Sequence, residues 1–374
     1  MTVHAAAGDL ARALARCAPD HAIDLAGAVA LDGPAPHADQ WRAWLDQQRH
    51  GDLAYLVRTR DERADPRLRN PEATTMLVFA QRYTDGWPDA PSTGWLDGVA
   101  RYARGRDYHD VLLRAVRGLL GDLRRTWPDL QAYPAVDTGP YLERDWADAA
   151  GLGFVGRNTC LIHERLGSGL VLAVAPCNLR LAGWDTAPRP LYEVAARGRL
   201  PRPGADRCGS CTRCLDACPT GAITAPRELD AGLCLSTWTI EWQGRAPARR
   251  PGPPGGPLFG CDVCQEVCPW NGRARREAAG RPGPAAAYGP LAEHAELDLG
   301  DLLTMDADRF RARFRRTPLW RQHPAGLRRN ALVVAANAGR VDLLDVVREV
   351  AAGDPDPEVR AVAAWAVSKL EDRG

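Results

Sequence analysis

An α/β domain, a cysteine-rich domain and a C-terminal helical repeat make up the architecture that this 374-residue sequence predicts. Three observations predict it. Strand-like and helix-like segments alternate over residues 1–200, two runs of closely spaced cysteines lie within 201–290, and a motif recurs at an offset of 32 residues within 291–374.

In the first domain, Leu10, Leu14 and Cys17 are apolar at helical spacing and suit an opening helix, and residues 22–29 suit a short strand. Residues 74–80 (TTMLVFA) are apolar and β-branched throughout, the pattern of a strand buried on both faces. Residues 108–123 predict a helix whose apolar face is Val111, Leu112, Ala115, Leu119 and Leu120. Residues 135–137 read as a strand end before a Thr138-Gly139-Pro140 turn, residues 142–150 as a helix stopped by Gly151, and residues 169–175 as a further buried strand. The alternation points to a mixed α/β sheet. A Pro-rich linker at 188–203 leads to the next domain.

The second domain carries the strongest chemical signal. Cys208-x2-Cys211-x2-Cys214-x3-Cys218-Pro219 has the spacing of the bacterial ferredoxin run, in which three cysteines hold one [4Fe–4S] cluster and the fourth crosses to another. Cys261-x2-Cys264-x3-Cys268-Pro269 repeats its last three places, with Leu258 where the first would stand. Cys234 is the unassigned cysteine nearby. The expected sets are Cys208, Cys211, Cys214 and Cys268 for one cluster, and Cys218, Cys234, Cys261 and Cys264 for the other. Thiolates are soft anions that suit iron, and each proline stops regular structure from running into the ligand loop. All-cysteine zinc sites also use C-x2-C pairs, and secreted proteins pair cysteines as disulfides. The paired x3-Cys-Pro endings favour crossed clusters, and no secretory signal is visible. Cys17, Cys160 and Cys177 are expected as small buried apolar residues. Trp238, Trp242 and Trp270, close to the ligands, are expected to exclude water from the clusters and cofactor.

Composition narrows the remaining classes. A net charge of +1 with 25% charged residues announces no global nucleic-acid affinity. Lys369 is the lone lysine, so arginine-rich segments partly reflect coding bias. The longest apolar run, near 169–176, is far too short to span a bilayer, and a cytoplasmic protein, monomeric and without membrane contact, is expected.

Three segments of the first domain stand out: ARYARGRDYH at 100–109, VDTGP at 136–140 and the glycine-rich stretch 151–159. Asp137 places a carboxylate at a strand end, where α/β sheets bind ligands, although a helix cap is the plainer reading. Gly151-x-Gly153-x-x-Gly156 follows a helix rather than a strand, so it lacks the context of a dinucleotide fingerprint.

Together with YLE at 141–143, CGSCTRCLDACPTGAI, the segment around Cys234 and FGCDVCQEVCPWN, these segments, in this order, resemble the epoxyqueuosine reductases over nearly the whole chain. The resemblance implies a cobalamin-binding α/β domain at 1–200, a ferredoxin-like two-[4Fe–4S] domain at 201–290 and a HEAT-like helical repeat at 291–374. It implies reduction of epoxyqueuosine to queuosine at the wobble position of tRNA, the last step of queuosine biosynthesis. Cobalamin, reduced through the clusters, removes the epoxide oxygen, and an external low-potential donor supplies electrons. The family's proton donor falls on Asp137, whose pKa would rise under a corrin. Arg63, Ile162, Ala173, Ser236, Cys261 and Asp262 fall at or near the expected corrin contacts. Val174 departs from a Glu common among relatives. A dicluster ferredoxin without its own substrate is the first alternative, but it would not need the α/β domain. A corrinoid reductive dehalogenase is the second, but those typically carry a twin-arginine signal.

The C-terminal part repeats Leu327-Arg-Arg-Asn-Ala-Leu as Val359-Arg-Ala-Val-Ala-Ala around an Asp354-Pro-Asp-Pro turn. That period suits HEAT-like helix pairs, with Ala331, Ala335 and Ala338, then Ala361, Ala364 and Val367, as packing faces. Residues 251–256 and 273–284 read as irregular and 306–314 as a helix. Because the family must hold an anticodon stem-loop, Arg321, Arg328 and Arg329 are the candidate phosphate contacts. Arg309, Arg311, Arg313, Arg315 and Arg316 stand in reserve.

Overall fold

The computed structural model describes residues 2–84, 95–182, 190–193, 206–241, 256–278, 285–295 and 297–373. Its centre is a four-stranded sheet in the order β3-β2-β1-β4, built from β1 (Leu25–Ala30), β2 (Thr75–Arg82), β3 (Leu170–Cys177) and β4 (Tyr192–Glu193). All three pairings are antiparallel, with Leu25 opposite Ala80 and Thr75 opposite Cys177. The expected mixed sheet is therefore absent here. Parallel pairing occurs in a separate two-stranded element, Val3–Ala6 with Leu179–Ala182, and in the isolated bridge between Val99 and Phe259.

The continuous apolar content of β2 has a simple cause. Side chains alternate across a strand, and helices cover both faces of this sheet. Leu77 and Phe79 meet α1 (Ala7–Cys17) and α3 (Tyr108–Thr126), while Met76, Val78 and Ala80 meet α4 (Glu143–Ala149). A separate helix, α2 (Ala38–Asp46), carries Trp41 and Trp44 of the cleft described below. On α3, Leu112, Leu119 and Leu120 are buried as expected, joined by Val116 and Leu123; Val111 and Ala115 lie at the margin. Each fully buried leucine contributes about 2 kcal/mol of apolar burial. Gly151 ends α4 at φ 73°, a left-handed backbone that side chains disfavour.

The cluster segment packs against this unit through α5 (Pro269–Ala278), where an irregular stretch was expected. Proline at the first helical position and good helix formers behind it explain the helix. Asn271 pins it by donating to Ser168 Oγ at 2.9 Å and to the Gln265 carbonyl at 2.7 Å. The rest of that stretch, 279–284, lies outside the described residues, as do Trp242, 251–255 and most of the 188–203 linker.

The C-terminal part is helical: α6 (Ala307–Phe314), α7 (His323–Ala338), α8 (Leu344–Gly353) and α9 (Pro357–Glu371). Asp356 caps α9 by accepting from the Glu358 and Val359 amides, and Pro357 opens it. The buried face of α9 is Val359, Val362, Ala363, Ala366 and Leu370, whereas Ala361 and Ala364 are exposed, as is Ala338 on α7. Alanines on every side of these helices leave no apolar period to read, so the larger side chains select the face. This core is continuous with Leu258 and Phe259 ahead of the second cysteine run. Asn330, buried on α7, donates to the Thr239 and Leu258 carbonyls, both at 2.9 Å. The helices thus clamp the loops flanking Cys234 and Cys261. No helix among the described residues is long and apolar enough to cross a membrane.

Candidate active site

Asp137 stands where the chain leaves the sheet. Ala135 exchanges two backbone hydrogen bonds with Val174 of β3, at 2.8 and 3.0 Å. Two residues later Asp137 adopts φ 56°, which turns its carboxyl out of the sheet and into a cleft. Such backbone is strained for a non-glycine residue and collects at functional sites.

The N-terminus of α3 supplies the partners of that carboxyl. Asp107 caps the helix by accepting from the His109 amide at 3.0 Å, and the same oxygen lies 2.6 Å from His109 Nδ1. His109 Nε2 lies 3.4 Å from Asp137 Oδ2 and 2.7 Å from the Arg321 guanidinium. The Tyr108 hydroxyl donates to Asp137 Oδ2 at 2.5 Å. Burial raises the Asp137 pKa, but the hydrogen bonds from His109 and Tyr108 and the charges of His109 and Arg321 outweigh it. The carboxyl is held below the usual range, opposite to the shift expected under a corrin. Its side chain stays 57% open to the cleft, so the burial it feels comes from the protein behind it, and a group filling the cleft would add to that. The His109 pKa is lowered by burial, but hydrogen bonding to Asp107 and Asp137 leaves it raised on balance.

The cleft has a volume of about 680 Å3 and is lined by Trp41, Trp44, Tyr55, Arg63, Asp137, Glu143, Cys234 and Ser236, among others. Arg63 is fixed by donating to Thr59 Oγ1 and to the Tyr141 carbonyl, with its guanidinium 5.9 Å from the Tyr55 ring centre. Glu143 Oε1 is buried without a hydrogen-bond partner. Burial, then the charge of Asp137, push the Glu143 pKa up to about 7.

Cys208, Cys211, Cys214 and Cys268 line a separate cavity of about 260 Å3 together with Ile162 and Trp270. Cys234 opens on the large cleft instead. Cys261 feels the charges of Cys234 and Cys218, and Cys264 those of Cys261 and Cys234. Among the described residues no three His, Cys, Asp or Glu side chains converge around a single ion. A four-iron cube distributes its thiolates over separate corners and asks for a wider cage.

Residues 207–271 match the family model for a 4Fe–4S double cluster binding domain, and residues 63–138 match the model described as epoxyqueuosine reductase QueG, DUF1730. Epoxyqueuosine reductase of Gloeobacter violaceus is 35% identical over 325 residues, covering 85% of this chain and 92% of its own. The chain belongs to the epoxyqueuosine reductase family. The Synechocystis sp. epoxyqueuosine reductase is 34% identical over 79% of this chain and 93% of its own. A crystal structure of an epoxyqueuosine reductase with an epoxyqueuosine-modified tRNA-Tyr stem loop superposes with a TM-score of 0.80 at 28% identity, covering 97% of this chain and 91% of that one. A Bacillus subtilis epoxyqueuosine reductase, solved with its catalytic aspartate loop swung out of the active site, matches with a TM-score of 0.77 at 27% identity over 97% and 91%.

In this member of the epoxyqueuosine reductase family, Arg63, Asp137 and Ser236 share the cleft, but four other expected contacts do not line it. Ile162 packs with Phe154 and Cys268 beside the first cysteine set, and Ala173 is buried in the core between β3 and the α1–α3 face. Cys261 sits with the second set, and Asp262, its pKa pushed up to about 6 mainly by burial, accepts from the Arg101 amide at 2.7 Å. Val174 is buried in the sheet core. Cys177 is buried as expected, whereas Cys17 and Cys160 are half-buried.

Two arginine assignments are corrected. Arg329 is 5% exposed and hydrogen-bonds the Asn330 side chain, so it is not available to a phosphate. Arg328 is paired at 2.7 Å with the buried Asp354 and also donates to the Met305 carbonyl. Arg321 faces His109 rather than an outer surface. Tyr108, His109 and Glu143 were missed as site residues, although all three lie in segments whose sequence stands out.

Proposed function

We propose that this chain reduces epoxyqueuosine to queuosine at the wobble position of tRNA, using two [4Fe–4S] clusters and cobalamin, with Asp137 as proton donor. The observation that carries the reading is that Asp137 and Cys234 open on one cleft. A proton source and an electron-relay cysteine thus face the same space.

The cleft suits a corrin. Trp41, Trp44 and Tyr55 offer flat apolar walls, while Arg63, Ser236 and the unpartnered Glu143 oxygen offer polar contacts for a ring fringed with amides. When bound, cobalamin supplies a low-potential reducing centre for breaking the epoxide C–O bond. The conversion takes two electrons and two protons and yields an alkene and water. Asp137 protonates the departing oxygen. His109, oriented by Asp107, is the neighbouring group that returns a proton to Asp137. Substrate and cofactor together exclude water from the carboxyl, which weakens its ionised form at the moment when a proton is needed.

The wobble base lies in a single-stranded loop, and the stem would be held through its phosphates. Arg106, Arg315 and Arg316 are exposed, and the Asp107 amide donates to the Arg316 carbonyl at 2.9 Å, placing these arginines beside the His109 turn. We assign them the phosphate contacts. Arg309 and Arg311 instead pair with Asp301 and Asp308, and Arg313 donates to the Glu293 carbonyl. The reading also treats α7–α9 as HEAT-like and the chain as three parts dividing near residues 200 and 290.

The test is anaerobic incubation of cluster- and cobalamin-loaded protein with an epoxyqueuosine-bearing tRNA stem-loop and a low-potential reductant. The nucleoside should lose one oxygen, seen by mass spectrometry. A loaded preparation that leaves the nucleoside unchanged overturns the reading.

A further inference from the structure

The two cysteine sets open on different surfaces. Cys234 of the second set lines the cofactor cleft, whereas Cys208, Cys211, Cys214 and Cys268 of the first line their own small cavity. Electrons leaving at the second set must therefore arrive at the first. The lining of that cavity is cationic, with Glu164 and Asp206 set behind it against two of its arginines. It contains Arg157, Arg207 and Arg213 and no carboxylate.

These arginines are not equivalent. Arg207 is paired with Glu164, and Arg157 lies 4.0 Å from Asp206 and donates to the Gly209 carbonyl. Both are anchored, and both offset negative charge on the thiolates beside them. Arg213, between two cysteines of the run, is exposed, and among the described residues it has no hydrogen-bond or ion-pair partner. Charge compensation alone does not require a cation pointing to solvent. Trp270 and Pro269 add apolar surface at the same mouth, with Arg273 extended over the Trp270 ring at 6.0 Å.

We propose that this surface is the docking site for a small acidic one-electron carrier protein, with Arg213 as its central steering charge. The inference rests on Cys208, Cys211, Cys214 and Cys268 holding the first cluster. Electron-transfer encounters bury little area and depend on complementary charge for their rate, which a cationic mouth around an otherwise apolar opening provides. At each encounter the carrier is oxidised by one electron and the cluster reduced by one. Two encounters supply the two electrons that, with two protons, turn the epoxide into an alkene and water. An RNA backbone is the other polyanion such a surface could hold. The position over the first cysteine set, away from the Asp137 cleft, favours the carrier.

The test compares the cluster-loaded protein with Arg213→Glu and Arg213→Gln, using photoreduced acidic flavodoxin as carrier and the methyl viologen radical as a reductant too small to need a dock. Stopped-flow bleaching of the clusters is followed across ionic strength. The unmodified protein should be reduced by flavodoxin at a second-order rate that falls with salt. Arg213→Glu should slow that step about tenfold or more at low salt and converge with it at high salt, with Arg213→Gln in between. Reduction by methyl viologen should not slow, and iron content and cluster potentials should not change. Equal flavodoxin rates in all three proteins would overturn the proposal. So would a parallel loss with methyl viologen or a shifted potential, which would make Arg213 a tuner of the cluster. Unchanged carrier rates with weakened tRNA stem-loop binding would make the surface an RNA contact and likewise overturn it. If iron and sulfide analysis finds no first cluster in the unmodified protein, the underlying ligand assignment fails, and that result is read separately.

Discussion

The Arg321 guanidinium donates to His109 Nε2 at 2.7 Å across 212 residues of sequence. Because a guanidinium has no acceptor, neutral His109 accepts at Nε2 and carries its ring hydrogen on Nδ1, facing Asp107 at 2.6 Å; a proton taken up on Nε2 is the one it can pass to Asp137, 3.4 Å away. The C-terminal helices thereby set the tautomer of the imidazole beside Asp137. They are part of the site, not an appendage to it.

Replacing Arg321 tests that relationship. Its charge lowers the pKa of both His109 and Asp137. Arg321→Met should move both limbs of the kcat–pH profile to higher pH, by on the order of one unit. A profile that only scales down, with its limbs unmoved, would leave Arg321 with a packing role.

Asp137→Asn keeps the shape and removes the transferable proton. Cluster and cobalamin spectra should persist while turnover falls roughly 100-fold or more, the scale of a lost general acid. Turnover at the unmodified rate would reduce Asp137 to a turn residue.

Cys234→Ala should damage one cluster and spare the other, because Cys234 belongs to only one of the two proposed ligand sets. Iron and sulfide analysis reads this directly. Two intact four-iron clusters would remove Cys234 from the ligand set.

Glu143 makes a prediction about stability. Its folded-state pKa is pushed up from 4.5 to about 7, so its ionised form opposes folding. The penalty is absent below about pH 4.5, grows between 4.5 and 7, and is complete above 7. Glu143→Gln should gain on the order of 2 kcal/mol over the parent at pH 8 and much less at pH 5, by denaturant unfolding. An equal difference at both pH values would show that the carboxyl is not neutral when folded.

The arginine corrections separate two kinds of variant. Arg328→Ala removes the cation beside the buried Asp354, leaving it only the Asp356 amide, and should cost about 3 kcal/mol of stability. Arg315→Glu with Arg316→Glu should leave stability alone, weaken stem-loop binding and flatten its salt dependence by roughly 0.7 to 0.9 per lost contact. Unchanged binding in the double variant would place the RNA elsewhere.

What the sequence by itself determined is local. The two cysteine runs are written in residue spacing, since a few bonds dictate which thiols one loop can gather, while it is the tertiary fold that brings Cys268 of the second run to the cavity lined by Cys208, Cys211 and Cys214. The β2 strand and the α3 helix were legible for the same reason, each written in a short apolar pattern and its terminating residues, whereas the strand end expected at 135–137 is a single bridge from Ala135 to Val174. The tertiary structure decided which arginines are free. Arg321, Arg328 and Arg329 look alike in the chain, yet one faces His109, one holds Asp354 and one is buried with Asn330. It also decided which face of α9 packs and that Ile162 meets Cys268 rather than the cleft. Such pairings depend on which distant groups come to share a desolvated space, and no short-range pattern in the chain records that.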